Sequence, residues 1–223
     1  MRKTFEIEIQ QLKDELLVLG SMVEQQVLDA VYALKKRDPE AAHQIVAIDA
    51  MLNSKRYAIE ERVMVAIATQ QPMAHDIRLL ASILEVAGEL ERMGDYAKGV
   101  ATITLRMGHE PLLKPLVDIP LMARMGVDML RRALAAFINE DVETARAIPA
   151  EDDEVDQLYL QVYRELMSFI MEDPRNIERA NGLLWTAHNL ERLADRVTNI
   201  CERTVFVATG ELKEIASSAN DRD

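Results

Sequence analysis

Apolar residues recur every three or four positions along nearly the whole chain, in six stripes that fall into two matching sets. That spacing marks one face of a helix, and the alternation expected of a strand is almost absent. The first stripe runs Leu12, Leu16, Leu19, Val23, Val27, Val31, Leu34. It stops at Arg37-Asp38-Pro39, where aspartate can cap the next helix and proline suits its first turn. The second runs Ala42, Ile45, Ile48, Leu52, Ile59, Val63, Ile67 and is interrupted by Gln70-Gln71-Pro72. The third runs Ile77, Leu80, Leu84, Ala87, Leu90, Met93, Ala97, Val100. Each predicts a helix of about thirty residues, roughly 45 Å long. Composition agrees: aromatics are only 4%, while Ala, Leu, Met and Glu, all good helix formers, are plentiful.

Gly108-His109-Glu110-Pro111-Leu112-Leu113-Lys114-Pro115, with Pro120 soon after, gathers three of the seven prolines, and such a cluster reads as a linker. Then the pattern restarts. A fourth stripe runs Leu121, Met125, Met129, Leu130, Leu134, Phe137. A fifth helix begins near Asn139-Glu140-Asp141 and ends at Glu172-Asp173-Pro174, with Pro149 expected to kink or restart it. A sixth runs from Ile177 to about Ala208 and is closed by Gly210. The halves superpose: Asp38-x-Glu40-x-Ala42 matches Asp141-x-Glu143-x-Ala145 at an offset of 103, and Leu-Glu-Arg-x-x-Asp at 90–95 returns at 190–195. The expectation is an all-α fold of two tandem antiparallel three-helix bundles related by internal duplication. Residues 1–108 form the first bundle, 109–120 a proline-rich linker, and 121–223 the second bundle with a polar tail.

The formal charge of -12 repels phosphate backbones and anionic lipid, which argues against direct nucleic-acid or membrane binding. A single cysteine, Cys201, permits no intrachain disulfide and fits a reducing compartment. No apolar signal core follows Met1-Arg2-Lys3, and no apolar run is long enough to cross a bilayer. A cytoplasmic protein is expected, touching a membrane only through a partner.

Chemistry is concentrated in the carboxylates. Glu91 and Asp95, and their copies Glu191 and Asp195, stand one helical turn apart at the edge of the core face. On the preceding helices the aligned positions carry Asp49 and Asn53 in the first half, and Asp152 and Asp156 in the second. Antiparallel neighbours would bring each set together as a hard oxygen site suited to Mg, Mn, Ca or Fe, and less to Zn. The plainer reading is ion pairing: Arg92 and Lys98 flank Asp95 at three residues, and Arg192 precedes Asp195 by three. Glu40-x-x-His43 has the spacing of a di-iron ligand pair but is not repeated, so a ferritin-like oxidase is disfavoured. His75 and His188 read as surface or partly buried residues. Cys201 reads as a small core residue, and Trp185 as packing near a bundle end. A helical spacer with solvated acids is the third alternative.

Longer motifs carry a family resemblance. Gln71-Pro72-Met73-Ala74-His75-Asp76-Ile77-Arg78, Leu90-Glu91-Arg92-Met93-Gly94-Asp95, and Asn189-Leu190-Glu191-Arg192-Leu193-Ala194-Asp195-Arg196-x-x-Asn199-Ile200-x-Glu202, ending in Thr209-Gly210-Glu211, resemble in order the PhoU family of phosphate-uptake regulators. The resemblance implies a cytoplasmic, non-enzymatic, generally dimeric adaptor. It would lie between the ATPase subunit of a phosphate ABC transporter and the sensor histidine kinase of the phosphate regulon, restraining both when phosphate is plentiful. It also implies carboxylate-bound metal (Fe, Mg, Mn or Zn) at Glu91, Asp95, Glu191 and Asp195, faced by Asp49, Asp152 and Asp156. Asn53 in place of an acid, and Gly99 and Thr102 where the second copy has Asn199 and Glu202, depart from the repeated pattern.

Overall fold

A computed structural model describes residues 2–108 and 110–215. His109, at the head of the expected linker, and the polar tail at 216–223 lie outside the described residues. Among the described residues seven α-helices follow in order: α1 (Arg2–Lys36), α2 (Pro39–Gln70), α3 (His75–Met107), α4 (Asp118–Asn139), α5 (Val142–Ala147), α6 (Asp152–Glu172) and α7 (Ile177–Thr209). There is no strand among them. Helices α1–α3 form one antiparallel bundle; α4, the α5–α6 pair and α7 form the other.

Local chemistry sets the ends. Asp38 accepts hydrogen bonds from the Glu40 and Ala41 amides at 3.0 Å each, and Pro39 occupies the first turn of α2, so otherwise orphaned donors are satisfied. Asp141 caps α5 in the same way through the Thr144 amide. Gly210 closes α7 at φ 80°, a left-handed conformation that glycine adopts without a Cβ clash. The fifth predicted helix is two: Pro149 has no amide to donate, and a 3-10 turn at Ile148–Glu151 joins α5 to α6. Helix α4 starts at Asp118, earlier than its apolar stripe suggests. Its buried face is led by Ile119 and Met122 rather than by Leu121, which is exposed.

The bundles share one core. Buried residues from all seven helices, from Leu12 and Leu16 to Val205 and Val207, form a single apolar cluster. The most extensive helix pair joins the halves, α3 against its own duplicate α7. They run antiparallel: Arg78, near the start of α3, donates to the Val207 carbonyl, while Gly182, near the start of α7, lies against Ile103 and Met107. A second contact between halves packs α1 on α4. There a Cβ on Gly20 would stand 2.3 Å from Leu134 Cδ1, so the helices approach as closely as a missing side chain allows. Arg131 pairs with Glu24 at 2.8 Å across the same contact, and Lys13 donates to the Ile138 carbonyl at 2.9 Å. His75 Nε2 meets Glu140 at 2.8 Å, tying the start of α3 to the turn after α4.

A shared core couples the unfolding of the two halves. Urea titration followed by helical circular dichroism and by Trp185 fluorescence is expected to give coincident transitions. Phe137→Ala, at a fully buried site, should lower both by about 3–5 kcal/mol.

Candidate functional site

The duplicated acids lie on two strips, one in each bundle, on either side of the α3–α7 seam. In the first, Asp49 of α2 faces α3 and is only 8% exposed. Its Oδ2 accepts from Lys98 Nζ at 2.7 Å and from Asn53 Nδ2 at 3.3 Å. Asp95 and Glu91 stand nearby, and both carboxyls are pushed above their ordinary range. For Glu91 the causes are burial, then repulsion from Asp95, opposed by Arg56, with Asp49 and Arg92 contributing less. For Asp95 they are burial and then Asp49, opposed by Lys98. The expected pairing of Arg92 and Lys98 with Asp95 does not form. Arg92 turns to Glu89 at 2.7 Å, and Lys98 reaches across to α2.

The second strip differs. Asp152, in the first turn of α6, is 6% exposed, and its Oδ1 has no hydrogen-bond partner. Burial followed by repulsion from Asp195, Asp156 and Glu191 pushes its carboxyl up to about 7. Glu191 is also pushed up to about 7, by burial, Asp195 and Asp156. Its Oε2 is buried without a hydrogen bond, although His188 Nδ1 stands 3.5 Å away. Asp156 is raised by burial and Asp195. Asp195 is raised by burial against the pull of Arg192, Arg196 and His188, with Arg192 Nε 3.8 Å from its Oδ2. The Thr198 hydroxyl, one turn on, is buried and unpartnered too.

The structure thus brings Asp49, Glu91 and Asp95 into one electrostatic neighbourhood and Asp152, Asp156, Glu191 and Asp195 into another. Among the described residues, no group of three or more His, Cys, Asp or Glu is gathered closely enough to hold an ion as the side chains stand. The two strips fit a cation unequally. Buried carboxylate oxygens without donors, as at Asp152 and Glu191, are strongly disfavoured unless a proton or cation serves them. Asp49 already holds an ammonium.

The seam itself is asymmetric. On one side a groove of about 740 Å³ is lined by Asp95, Lys98, Thr102, Arg106, Arg179 and Trp185. On the duplicated side ion pairs join the same helices: Arg203 with Glu85 at 3.3 Å and Arg196 with the buried Glu89 at 3.6 Å. Trp185 is not a packing residue: it is 54% exposed at the mouth of the groove, with its ring edge against His188. Cys201 is buried, its thiol pushed up to about 12 by desolvation, as suits a core side chain. His43 is exposed.

Both halves, in order, match the PhoU domain, over residues 16–104 and 119–204. The chain belongs to the PhoU family. It is 33% identical over 211 residues to the phosphate-specific transport system accessory protein PhoU homolog of Clostridium acetobutylicum, covering 94% of this chain and 96% of that one. It is 35% identical over 210 residues to the PhoU accessory protein of Escherichia coli, covering 93% and 86%. Crystal structures of PhoU from Streptococcus pneumoniae and Pseudomonas aeruginosa superpose with TM-scores of 0.87 each, at 32% and 34% identity. They cover 94% and 93% of this chain and 99% and 100% of those chains. The PhoU fold of two three-helix bundles therefore spans nearly the whole chain.

The two halves of this PhoU-family chain also differ in their basic residues, which the acid spacing does not reveal. Position for position, Lys98 aligns with Thr198 and Arg56 with Tyr159, whereas Arg196 aligns with Tyr96 and His188 with Gly88, so the two strips carry their cations at different places. The signal lay in the repeat alignment once basic as well as acidic positions are compared.

The raised carboxyls have a measurable consequence. The folded-state values of Asp152 and Glu191, about 7, lie above the unfolded values near 4. Between these limits the folded chain keeps protons that the unfolded chain has shed, so stability falls as pH rises. Chelator-treated protein should lose on the order of 1 kcal/mol per pH unit per group over this window, and Asp152→Asn should flatten the slope in urea melts.

Proposed function

We propose that this protein is a non-enzymatic accessory and negative regulator of phosphate uptake. It would restrain a phosphate ABC transporter through its ATPase subunit, and expression of the phosphate regulon through the sensor histidine kinase. The observation that carries this reading is end-to-end similarity, in both halves, to proteins named as phosphate-specific transport accessory proteins. Among the described residues no helix is long and apolar enough to cross a membrane. Contact with a transporter would then run through its cytoplasmic parts, with this chain in the cytoplasm and acting as a homodimer.

A regulator of this kind works by differential affinity for two states of its partner. A rigid scaffold suits such discrimination. One core holds both bundles in fixed relation, so a partner gripping both faces sees a single body. The acid strip of the second bundle is the part best suited to a metal ion, with Asp152, Asp156, Glu191 and Asp195 as ligands. A hard divalent or ferric ion there would neutralise the repelling acids and cross-link α6 to α7.

The deciding experiment is genetic and biochemical together. Deleting the protein should raise phosphate import and alkaline phosphatase expression in phosphate-rich medium, and tagged protein should co-purify with the transporter ATPase. Unchanged import and expression, with no ATPase captured, would refute the adaptor reading.

A further inference from the structure

The internal duplication provides a control for each acid strip, because every ligand position in one half has a counterpart in the other. Asp49, Glu91 and Asp95 correspond to Asp152, Glu191 and Asp195. Three neighbours differ in charge on the faces that hold these acids, Asn53 for Asp156, Arg56 for Tyr159 and Lys98 for Thr198, and two more differ on the helix of Glu191 and Asp195, where Arg196 and His188 stand for Tyr96 and Gly88. The first three exchanges move the first strip toward positive charge, while the last two place cations beside Asp195. At positions 56 and 98 the first strip has two basic groups, where the second has a phenol and a hydroxyl. The cations that do act on the second strip, Arg192, Arg196 and His188, bear on Asp195 from its own helix, and Arg196 is shared with Glu89.

Geometry follows the charges. The Lys98 ammonium contacts Asp49 at 2.7 Å and the Asn53 amide contacts the same oxygen at 3.3 Å, so the buried carboxylate is already served by two donors. In the second strip the equivalent carboxylate of Asp152 leaves Oδ1 buried without a donor, and Glu191 and Thr198 each have a buried oxygen in the same condition. A divalent ion entering the first strip would have to displace this ammonium and then sit beside it and Arg56, a like-charge arrangement that costs free energy.

We propose that Lys98 acts as a tethered cation that fills the first acid strip and closes it to metal, so that this chain loads metal through its second strip alone. The inference rests on the metal-binding part of the proposed function. It treats the duplicated strips as divergent: one is a fixed internal salt bridge, the other an exchangeable ion site. The closure of the first strip is a consequence of side chains, Lys98 and Asn53 on Asp49 with Arg56 beside them, and not of the fold.

Manganese(II) is a suitable probe, since it favours oxygen donors and its free and bound forms are separated by electron paramagnetic resonance. Full-length protein, freed of metal by chelation, is titrated and its bound ion counted by elemental analysis. Wild type should bind manganese in a form abolished by Asp152→Asn or Asp195→Asn and unchanged by Asp49→Asn. Lys98→Thr should acquire additional manganese, and that extra uptake should vanish when Asp49→Asn is added. The reciprocal change, Thr198→Lys, should abolish wild-type uptake by placing an ammonium in the second strip. Circular dichroism confirms that each variant is folded, and Lys98→Met provides a charge-free side chain of similar reach should threonine pack poorly.

Uptake in wild type that Asp49→Asn removes would overturn the inference while leaving metal binding by the family fold intact. So would Lys98→Thr and Lys98→Met variants that gain nothing. Absence of bound manganese in wild type and in every variant would instead overturn the metal reading itself, and this inference with it.

Discussion

The antiparallel packing of α3 on α7 is the constraint on which the molecule depends. These helices are duplicates of one another, and each also belongs to its own bundle, so their contact fuses two three-helix units into one apolar cluster. A three-helix bundle of about a hundred residues can bury enough surface to fold alone. Here, however, the inner helix of each bundle is covered on a further side by its counterpart, and side chains such as Leu90, Met93, Leu190 and Leu193 are buried. Close approach elsewhere has the same origin: Gly20 against Leu134 lets α1 meet α4 without a gap.

That seam also decides where charge goes. Once the apolar faces of α3 and α7 are committed, the acid motifs fall at the edges of those faces, opposite α2 and α6. Carboxylates placed there are half-buried and close to one another, which raises their proton affinity. Each strip meets the problem differently. The first uses a lysine from the same helix as Asp95 to neutralise an acid on the facing helix. The second leaves buried oxygens without donors, an arrangement that is costly unless something positive occupies it. Divergence at a few positions separates a strip whose buried carboxylate is held by a salt bridge from one whose buried oxygens have no donor.

The helices are legible in the sequence because their apolar stripes are long and their ends carry explicit chemistry: Asp38-Pro39, Asp141, Pro149 and Gly210 each act where the residue type requires. Legibility fails where the deciding contact lies between helices. Position alone suggests that Trp185 packs, yet it lies exposed at the edge of a groove, because the apolar face of α7 is already supplied by Leu183, Ala187 and Leu190. Spacing likewise puts Arg92 and Lys98 within reach of Asp95. But Arg92 also reaches Glu89 one turn back, and Lys98 also reaches Asp49 on the facing helix, and these are the pairs that form.

By itself, the sequence determined an all-helical chain, its duplication, and the turn-spaced acids on the third and last long helices, because periodicity and spacing act within a single helix and need no partner. Only the tertiary structure decided that two bundles become one core, that Glu89 is buried beside Arg196, and that Lys98 makes its hydrogen bond to Asp49 rather than to Asp95. Those outcomes depend on how far each helix is rotated about its axis and how deeply it sits against its neighbour. Packing of the whole core sets both quantities, and no local run of residues encodes them.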